Sequence, residues 1–242
     1  MRTLLIGLLL PLAACSVATS GGGEDDGLPG IAAQGAGNTR TFAATDFTVV
    51  DLRGADDVDV RVGPGFSVRA DGDAAVLDRL KISKEGATLR IGRIRGQSSG
   101  GEARIFVTMP RMTAATIAGS GDMTVDRVQV ADFKGAGAGS GGLSVAALEA
   151  ERADLSLAGS GDIRIGGTAK QLKVNIAGSG DVDAGGLKAR EAEVSIAGSG
   201  SVRADVEGPA KVSVMGSGDV DLGGKAQCMT SKMGSGSVRC GN

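Results

Sequence analysis

The chain has 242 residues, of which 41% are hydrophobic and 42 are glycine, and it contains no Trp, Tyr or His. The absence of histidine removes the commonest general base and the commonest imidazole metal ligand. The formal charge is −2, the basic residues are scattered, and aromatic residues make up only 2% of the chain. This composition excludes the usual footprint of a nucleic-acid-binding protein, which is a clustered basic surface with aromatic side chains that stack on bases.

The first residues have the pattern of a bacterial export signal. Arg2 is followed by an apolar run at residues 4–12, which is too short to span a membrane comfortably. The sequence LAAC at residues 12–15 resembles the lipobox of bacterial lipoproteins. This resemblance implies cleavage before Cys15 and attachment of diacylglycerol to its thiol. We therefore predict a signal peptide at residues 1–14.

The residues after the cysteine leave a second cleavage site open. The sequence SVA at residues 16–18 is a small-x-small site, so an ordinary signal peptide could be cleaved after Ala18. In a Gram-negative lipoprotein, Ser16 resembles the default signal for the outer membrane rather than an inner-membrane retention signal. The lipoprotein interpretation therefore predicts an outer-membrane anchor.

Residues 15–39 lack periodicity and are rich in Gly, Ser and acidic residues, which predicts a flexible, lipid-anchored linker.

Residues 40–110 show an irregular strand pattern. Apolar and polar residues alternate with the period of two that is typical of half-buried strands, and Gly-Pro and Asp-Gly sequences separate the runs as turns. Residues 74–80 are the one helix candidate, with Val76, Leu77 and Leu80 on one side, and residues 96–102 are expected to be a loop. The predicted strands are residues 47–52, 57–62, 66–70, 87–91 and 103–109.

From residue 111 onward the sequence repeats. Gly-Ser-Gly recurs seven times at steps of 18 to 20 residues, and each repeat has alternating strands on both sides of it. A fixed period near 20 indicates stacked units, and the Leu-x-x-Leu-x-Leu pattern of a leucine-rich repeat is absent. We therefore predict an all-β fold, a parallel right-handed β-helix, over residues 111–242, in which each Gly-Ser-Gly forms a corner. The first glycines of the corners are Gly119, Gly139, Gly159, Gly178, Gly198, Gly216 and Gly234.

The period of two also predicts which side chains face the core. Each should stack on its counterpart one coil away, about 4.8 Å along the axis. The predicted inward residues are Leu155, Leu157, Ile163 and Ile165, then Val174, Ile176, Val182 and Ala184, then Val194, Ile196, Val202 and Ala204, then Val212, Val214, Val220 and Leu222.

The last coil departs from this pattern. Thr230 and Lys232 occupy the positions of Val212 and Val214 one coil earlier, and inward polar residues are tolerable only at an open end. Residues 228–242 are therefore predicted to be a cap. With Cys15 lipidated, the two remaining cysteines of an exported chain, Cys228 and Cys240, are expected to form a disulfide within this cap.

Several chemical motifs are better explained by the repeat. Gly137, Gly139 and Gly142 match the G-x-G-x-x-G pattern of dinucleotide-binding proteins, but no helix is predicted after them. No histidine is available to activate any of the corner serines as a nucleophile, so each hydroxyl is expected to bond to nearby backbone. The corner serines are Ser120, Ser140, Ser160, Ser179, Ser199, Ser217 and Ser235.

Acidic and basic residues offer two further candidate sites. An aspartate follows four of the corners, and two of them, Asp162 and Asp181, would be adjacent and could share a weakly bound Ca²⁺ ion. The alternative is that each aspartate only favours a turn. A substrate groove of a polysaccharide-active enzyme would have to lie in the irregular part of the chain, around Arg93, Arg95, Glu102 and Arg104.

The repeat as a whole resembles a known family. The segments LSLAGSGDIRIGG and VSIAGSGSVRADV, with the earlier strands FTVVDLRGADDVDVRVG and ARIFVTMP, are similar to the head GIN domain, named for the head of autotransporter adhesins. The resemblance covers residues 42–238. It implies a β-helical domain on exported, often lipid-anchored envelope proteins, and it supplies no catalytic residues.

Together these observations predict a cell-envelope lipoprotein that presents a rigid, adhesin-like domain for binding or structure. Its expected partners are the membrane, through the lipid, and an envelope protein or glycan. We expect no catalysis, cofactor, metal, nucleotide or nucleic acid. The alternative is a polysaccharide-active β-helix enzyme, either a lyase or a hydrolase.

Overall fold

A computed structural model describes residues 28–94 and 100–241. The predicted signal peptide, Cys15, most of the linker and Arg95 lie outside this range. The first part of the described chain contains one short helix and eight strands. They are β1 (Ala33–Gln34), β2 (Thr39–Phe42), β3 (Val49–Gly54), β4 (Asp57–Val62), β5 (Ser67–Asp71), α1 (Ala74–Leu77), β6 (Leu80–Glu85), β7 (Thr88–Arg93) and β8 (Arg104–Met109).

The remaining ten strands form the regular part of the molecule. They are β9 (Ala114–Gly119), β10 (Met123–Gly139), β11 (Leu143–Gly159), β12 (Ile163–Gly178), β13 (Val182–Gly198), β14 (Val202–Val206), β15 (Pro209–Gly216), β16 (Val220–Asp221), β17 (Gln227–Met233) and β18 (Val238–Arg239). All eighteen described strands belong to one sheet.

The regular strands stack in parallel, coil upon coil. Leu155 of β11 is in register with Val174 of β12, which is in register with Val194 of β13 and then with Val212 of β15. Every predicted inward residue is buried, with at most 3% of its surface exposed. The predicted all-β solenoid is therefore confirmed, and its core is a narrow column of aliphatic side chains.

Each coil is more continuous than its sequence suggests. The predicted break at the Gly-Gly pairs is instead a bend inside one long strand, as at Gly166 and Gly167 of β12. The register shifts there by one residue while the parallel pairing resumes on both sides. From β10 to β13 the strands are interrupted only at the Gly-Ser-Gly corners, because the hydrogen bonds between coils follow the chain around the other bends. In the last coils the strands also break before Pro209 and before Gln227.

The N-terminal strands do not stack in chain order. β3 and β4 form a coil that lies between β7–β8 on one side and β9–β10 on the other, and all these pairings are parallel. β5 and β6 then add to β8 and β7 in the antiparallel direction. This antiparallel layer covers the N-terminal end of the β-helix, so the end of the stack is not an open parallel edge.

Two predictions for this region need correction. The helix spans only four residues, and Leu80 begins strand β6, because the alternation of Leu80 and Ile82 continues the sheet. The predicted linker also ends too late. The backbone N–H of Ile31 donates to Ile82, and β1 pairs with β2 in an antiparallel hairpin, so the chain contacts the domain before residue 40.

The C-terminal cap has the predicted composition. Thr230 and Lys232 are in register with Val212 and Val214, and both are exposed at the end of the stack. The predicted disulfide between Cys228 and Cys240 is present, with a Cα–Cα distance of 6.1 Å. It links β17 to the residue that follows β18, which closes the last coil.

Candidate functional site

The seven Gly-Ser-Gly corners stack directly on one another through the main chain. The first glycine of each has a positive φ, between 117° and 142°, which a side chain would disfavour. In six of the seven corners the serine N–H donates to the carbonyl of the glycine one coil earlier, as in the 2.9 Å bond from Ser160 to Gly139, and in the last corner the N–H of Gly236 donates to Gly216. The corners are therefore a structural spine, and the sequence signal that suggested a phosphate-binding loop has an architectural cause.

The glycines of the dinucleotide-type match belong to this spine. Gly137 lies inside β10, and Gly139 and Gly142 flank the corner that follows. No helix begins there, so no helix N-terminus faces a phosphate position.

The corner serines point outward rather than back to the chain. All seven are exposed, and within the described residues none of their hydroxyls donates to the backbone. The one hydroxyl contact joins Ser217 to Ser235 at 3.1 Å. The prediction that these hydroxyls bond to nearby backbone is therefore wrong, because the carbonyl groups at each corner already accept N–H groups from the next coil.

The aspartates that follow the corners bind the next coil. Asp122 accepts the N–H of Gly142 at 2.7 Å, and Asp181 accepts that of Ser201 at 2.8 Å. Ser237 donates both its hydroxyl and its N–H to Asp219, and these bonds lower the pKa of that carboxyl. The aspartates thus satisfy amide groups that the strand ladder leaves free at each corner.

The Asp162–Asp181 pair is part of this series. Asp162 accepts the N–H of Asp181 at 3.4 Å and an Arg164 guanidinium N–H at 3.3 Å. Residues 28–94 and 100–241 contain no group of three or more acidic or cysteine side chains arranged to hold a metal ion. Both carboxylates thus have a structural role as hydrogen-bond acceptors.

Sequence reasoning missed an eighth corner. Gly54 has a φ of 127°, and the positions of Gly119 and Gly121 stack on the carbonyls of Gly54 and Asp56. The N–H of Asp122 donates to the Asp57 carboxylate at 3.1 Å, which continues the aspartate series. The sequence signal was that Gly54 and Asp57 have the same separation as Gly119 and Asp122. It was hidden because aspartate replaces the second glycine of the motif.

Asp56 anchors this first corner to the loop beside it. Its carboxylate is fully buried and accepts the N–H of Ala103 at 2.8 Å and both the Nε and a terminal N–H of Arg93. Arg93 also donates to the Gly101 carbonyl at 2.8 Å. The hydrogen bond that Arg93 donates to the Asp56 carboxylate raises the pKa of Arg93, despite the partial burial of its guanidinium.

Two of the residues considered for an enzyme groove, Arg93 and Arg104, are engaged in structural contacts. Arg93 is held by Asp56, and Arg104 donates to Asp59 at 2.6 Å while its guanidinium lies 5.7 Å from the centre of the Phe106 ring. Glu102 is exposed beside this region. Each of these arginines is directed at a carboxylate of its own domain, and the Arg104 side chain is 64% exposed.

One long face of the β-helix carries no charge. It consists of two columns of outward side chains on the strands that lead into the corners, and we call it the Ser–Ala face. It borders a column of alternating charge that runs from Lys134 to Lys211. The columns of the face are Thr116, Ala136, Ser156, Asn175, Ser195 and Ser213, and Ala118, Ala138, Ala158, Ala177, Ala197 and Met215.

The Ser–Ala face is shallow and extended. Six coils at about 4.8 Å spacing give it a length of about 24 Å. A depression of about 390 Å³ lies along its middle, between Thr116 and Ser195. Its second column ends at Met215, which is 61% exposed, and Met233 of the cap, which is 71% exposed, is in register with it one coil further. Contiguous uncharged surface of this kind is typical of the core of a protein–protein or ligand interface.

Comparison with protein families gives one match. The profile described as "Putative auto-transporter adhesin, head GIN domain" matches residues 46–226. No curated protein matches the chain. The matched segment includes the Ser–Ala face and all but the last of the corners.

Several solved structures share the fold. A "putative adhesin" from Bacteroides fragilis aligns with a TM-score of 0.77 at 19% identity, over 84% of this chain and 95% of that chain. A "putative adhesin" from Parabacteroides distasonis aligns at 0.65 and 19% identity, with the same coverage of both chains. A "putative lipid binding protein" from the same species aligns at 0.60 and 22% identity over 84% and 95% of the two chains. These identities establish likeness of fold alone. In the described range, no helix has the length and apolar character needed to cross a membrane.

Proposed function

The chain belongs to the head GIN domain family, and from this premise we propose that it is an exported, lipid-anchored envelope protein whose β-helix presents an adhesin-like binding surface. The observation that carries this proposal is the Ser–Ala face. It is uncharged over six coils, whereas the other outward columns of the same strands carry Asp, Glu, Lys and Arg.

Rigidity supports the same function. The corners are held by main-chain hydrogen bonds of 2.8 to 3.4 Å between successive coils, and the Asp series adds a second set of contacts. A ligand that binds this face therefore meets a surface whose shape is already formed. Such preorganisation lowers the entropic cost of association.

We expect charge on the Ser–Ala face to abolish adhesion. The double variant Ala158→Glu, Ala177→Glu places two carboxylates at its centre, where both alanines are exposed. Burying unpaired charge at an interface costs several kcal/mol, so the apparent affinity should fall at least about tenfold. The measurement is retention of envelope fragments of the source bacterium on beads that carry the purified protein.

The matched control introduces the same charge elsewhere. Ala146→Glu with Ala147→Glu changes two exposed alanines of β11 outside the Ser–Ala face, and retention should stay at the parent level. Equal loss in both double variants would point to a general charge effect. Unchanged retention in the face variant would refute this face as the adhesive surface.

The anchor has its own test. Under this proposal Cys15 carries the lipid, and the Gly- and Ser-rich segment after it connects the membrane to the domain. Cys15→Ser should move the protein from the membrane fraction to the soluble envelope fraction, because one thiol carries the attachment. Incorporation of labelled fatty acid should be lost at the same time. Continued membrane fractionation with intact adhesion would rule out the anchor while leaving the binding face in place.

The expected site of the anchor is the outer membrane, on the basis of Ser16. Separation of inner and outer membranes by density would test this, with the parent protein expected in the outer-membrane fraction. Proteolysis of intact cells would then distinguish a surface-facing from a periplasm-facing domain.

A further inference from the structure

A channel runs along another face of the β-helix, away from the Ser–Ala face. Its floor is the main chain around Val130, Ala150, Ala169 and Ala189, which are in register in four successive coils. Their own side chains are short and lie in or against the core. The cavity has a volume of about 610 Å³ and shares no residue with the depression of the Ser–Ala face.

Two columns of polar side chains form the walls. One column consists of Gln129, Glu149, Thr168 and Lys188, which are in register from coil to coil. The other wall is formed by the residues that come directly after the floor residues in the sequence and face outward. Its members are Ala131, Glu151, Lys170 and Arg190, and Glu207 lies at the C-terminal end.

The charges of the channel are partly satisfied internally. Gln129 donates its side-chain amide to Glu149 at 3.1 Å, and Lys170 forms an ion pair with Glu151. At the C-terminal end, Glu207 pairs with Lys225 at 3.2 Å. These contacts pair polar and charged side chains on both sides of the coil that contains Lys188 and Arg190, and they do not involve that coil.

Lys188 and Arg190 are the exception. Both are exposed and lie on either side of the same floor position, and neither side chain has a hydrogen bond or ion pair with any other residue in the described parts of the chain. Thr168 presents a hydroxyl one coil away, and Asp205 is in register with Lys188 on the other side. Two cations on either side of one floor position, with a hydroxyl one coil away, form a site for an anionic group, which a guanidinium binds in a fork.

The form of the channel selects the kind of ligand. An extended peptide usually binds a sheet by adding a strand at a free edge. Here β11, β12 and β13 are paired on both sides by their neighbours, so over these three coils no main-chain edge is open to a peptide. A ligand must instead bind through the side chains of the walls. Glu149 and Gln129 lie two to three coils from Lys188, about 10 to 14 Å away, and their oxygen and nitrogen atoms suit hydroxyl groups.

We propose that this channel binds a linear acidic oligosaccharide, with its charged group at Lys188 and Arg190 and its hydroxyl groups along Thr168, Glu149 and Gln129. The negative group is a carboxylate or a sulfate, both of which match the guanidinium fork. This site is separate from the Ser–Ala face and adds a defined ligand class to the proposed adhesive function without depending on that face.

The test is calorimetric titration of the full chain with a short oligogalacturonate, with a heparin-derived oligosaccharide of similar length, and with the methyl-esterified, uncharged form of the first. Saturable binding of at least one acidic oligomer is expected. Binding of the oligogalacturonate alone would identify a carboxylate as the charged group, and binding of the heparin-derived oligosaccharide alone would identify a sulfate. The uncharged oligomer should bind at least about tenfold more weakly, because it lacks the group that meets the two cations.

The matched variants localise the binding. Lys188→Gln with Arg190→Gln should weaken binding at least about tenfold, whereas Arg203→Gln with Lys211→Gln, which removes two exposed cations outside the channel, should leave it within about twofold. Both pairs remove the same charge, and circular dichroism of each variant checks the fold. Absence of saturable binding to either acidic oligomer, or equal weakening in the two double variants, would overturn the proposal. The face variant Ala158→Glu, Ala177→Glu should bind the oligomer as the parent does, which separates this result from the adhesion test.

Discussion

The variant Gly161→Ala is expected to lower the midpoint of thermal unfolding by about 6 to 12 °C, one of the two largest losses of stability predicted for a single residue of this protein. Gly161 is the second glycine of its corner and is buried. A Cβ atom at this position would lie 2.2 Å from the carbonyl oxygen of Gly141, one coil earlier. No rotamer can relieve this contact, because both the added atom and its obstacle are fixed to the main chain.

The energetic cost follows from the overpacking. Inserting a methyl group into a packed site typically costs about 1 to 3 kcal/mol, and the upper end applies where the backbone must move. Here the two coils would have to separate at the corner, and the hydrogen bonds of Ser160 and Gly161 to Gly139 would lengthen. We therefore expect a loss of about 3 kcal/mol, measured by thermal and denaturant unfolding followed by circular dichroism.

Gly186→Ala is the matched control. Gly186 lies in β13 at the other bend of the coil, its φ is outside the left-handed region, and its nearest potential contact is the Gly166 Cα at an ordinary 3.5 Å. A methyl group fits there, so stability should change by less than about 1 kcal/mol. Equal losses for the two variants would mean that corner stacking is not the cause. Hydrogen exchange should also show loosening confined to the coils next to Gly161, since each coil contacts only its neighbours.

Asp56→Gly is expected to be the second large loss, although it would restore the Gly-x-Gly pattern of the other corners. The Asp56 carboxylate is fully buried, and it holds Arg93 and the N–H of Ala103. Removing it leaves a guanidinium that is 24% exposed facing a cavity, and leaves a main-chain N–H without its acceptor. Breaking a buried ion pair from one side costs about 3 to 5 kcal/mol, and the partial exposure of Arg93 favours the lower value.

The control for Asp56 is an ion pair at the surface. Asp78 pairs with Arg40 at 2.7 Å but is 65% exposed, so Asp78→Ala should cost no more than about 1 kcal/mol. Urea unfolding of both variants gives the comparison. If Asp56→Gly were as stable as the parent, the repeat pattern rather than the ion pair would govern this corner.

The predictability of this molecule changes along the chain. In the regular part, every residue that the alternation of period two and the corner spacing near 20 residues predicted to face inward is buried, because each coil contacts only its neighbours and repeats their environment. The core also contains Leu172, Leu187 and Val206, which the pattern did not predict. In the N-terminal part, the alternation of apolar and polar residues predicted the strands but not the order in which they pair in the sheet. The pairing of β3 with both β7 and β9 depends on contacts between residues far apart in sequence.

The candidate sites divide in the same way. The role of the glycines at the corners could be predicted from composition and spacing, whereas the structural use of the aspartates could not, since their partners lie one coil away. Arg93 illustrates the limit most clearly. Together with Arg95, Glu102 and Arg104 it marked the irregular region as the place for a substrate groove, and only the fold brings it to a buried aspartate 37 residues earlier.

The residue pattern alone therefore established an all-β solenoid, its coil length, its inward face and its capped end, because a local repeat imposes the same main-chain path each time. The tertiary structure was needed to show what lies outside that path. It revealed the antiparallel layer over the first coils, the uncharged Ser–Ala face, and the channel in which Lys188 and Arg190 have no partner among the described residues. Such surfaces arise when side chains about 20 residues apart align at about 4.8 Å spacing, and a one-dimensional pattern does not show which of those neighbours form contacts.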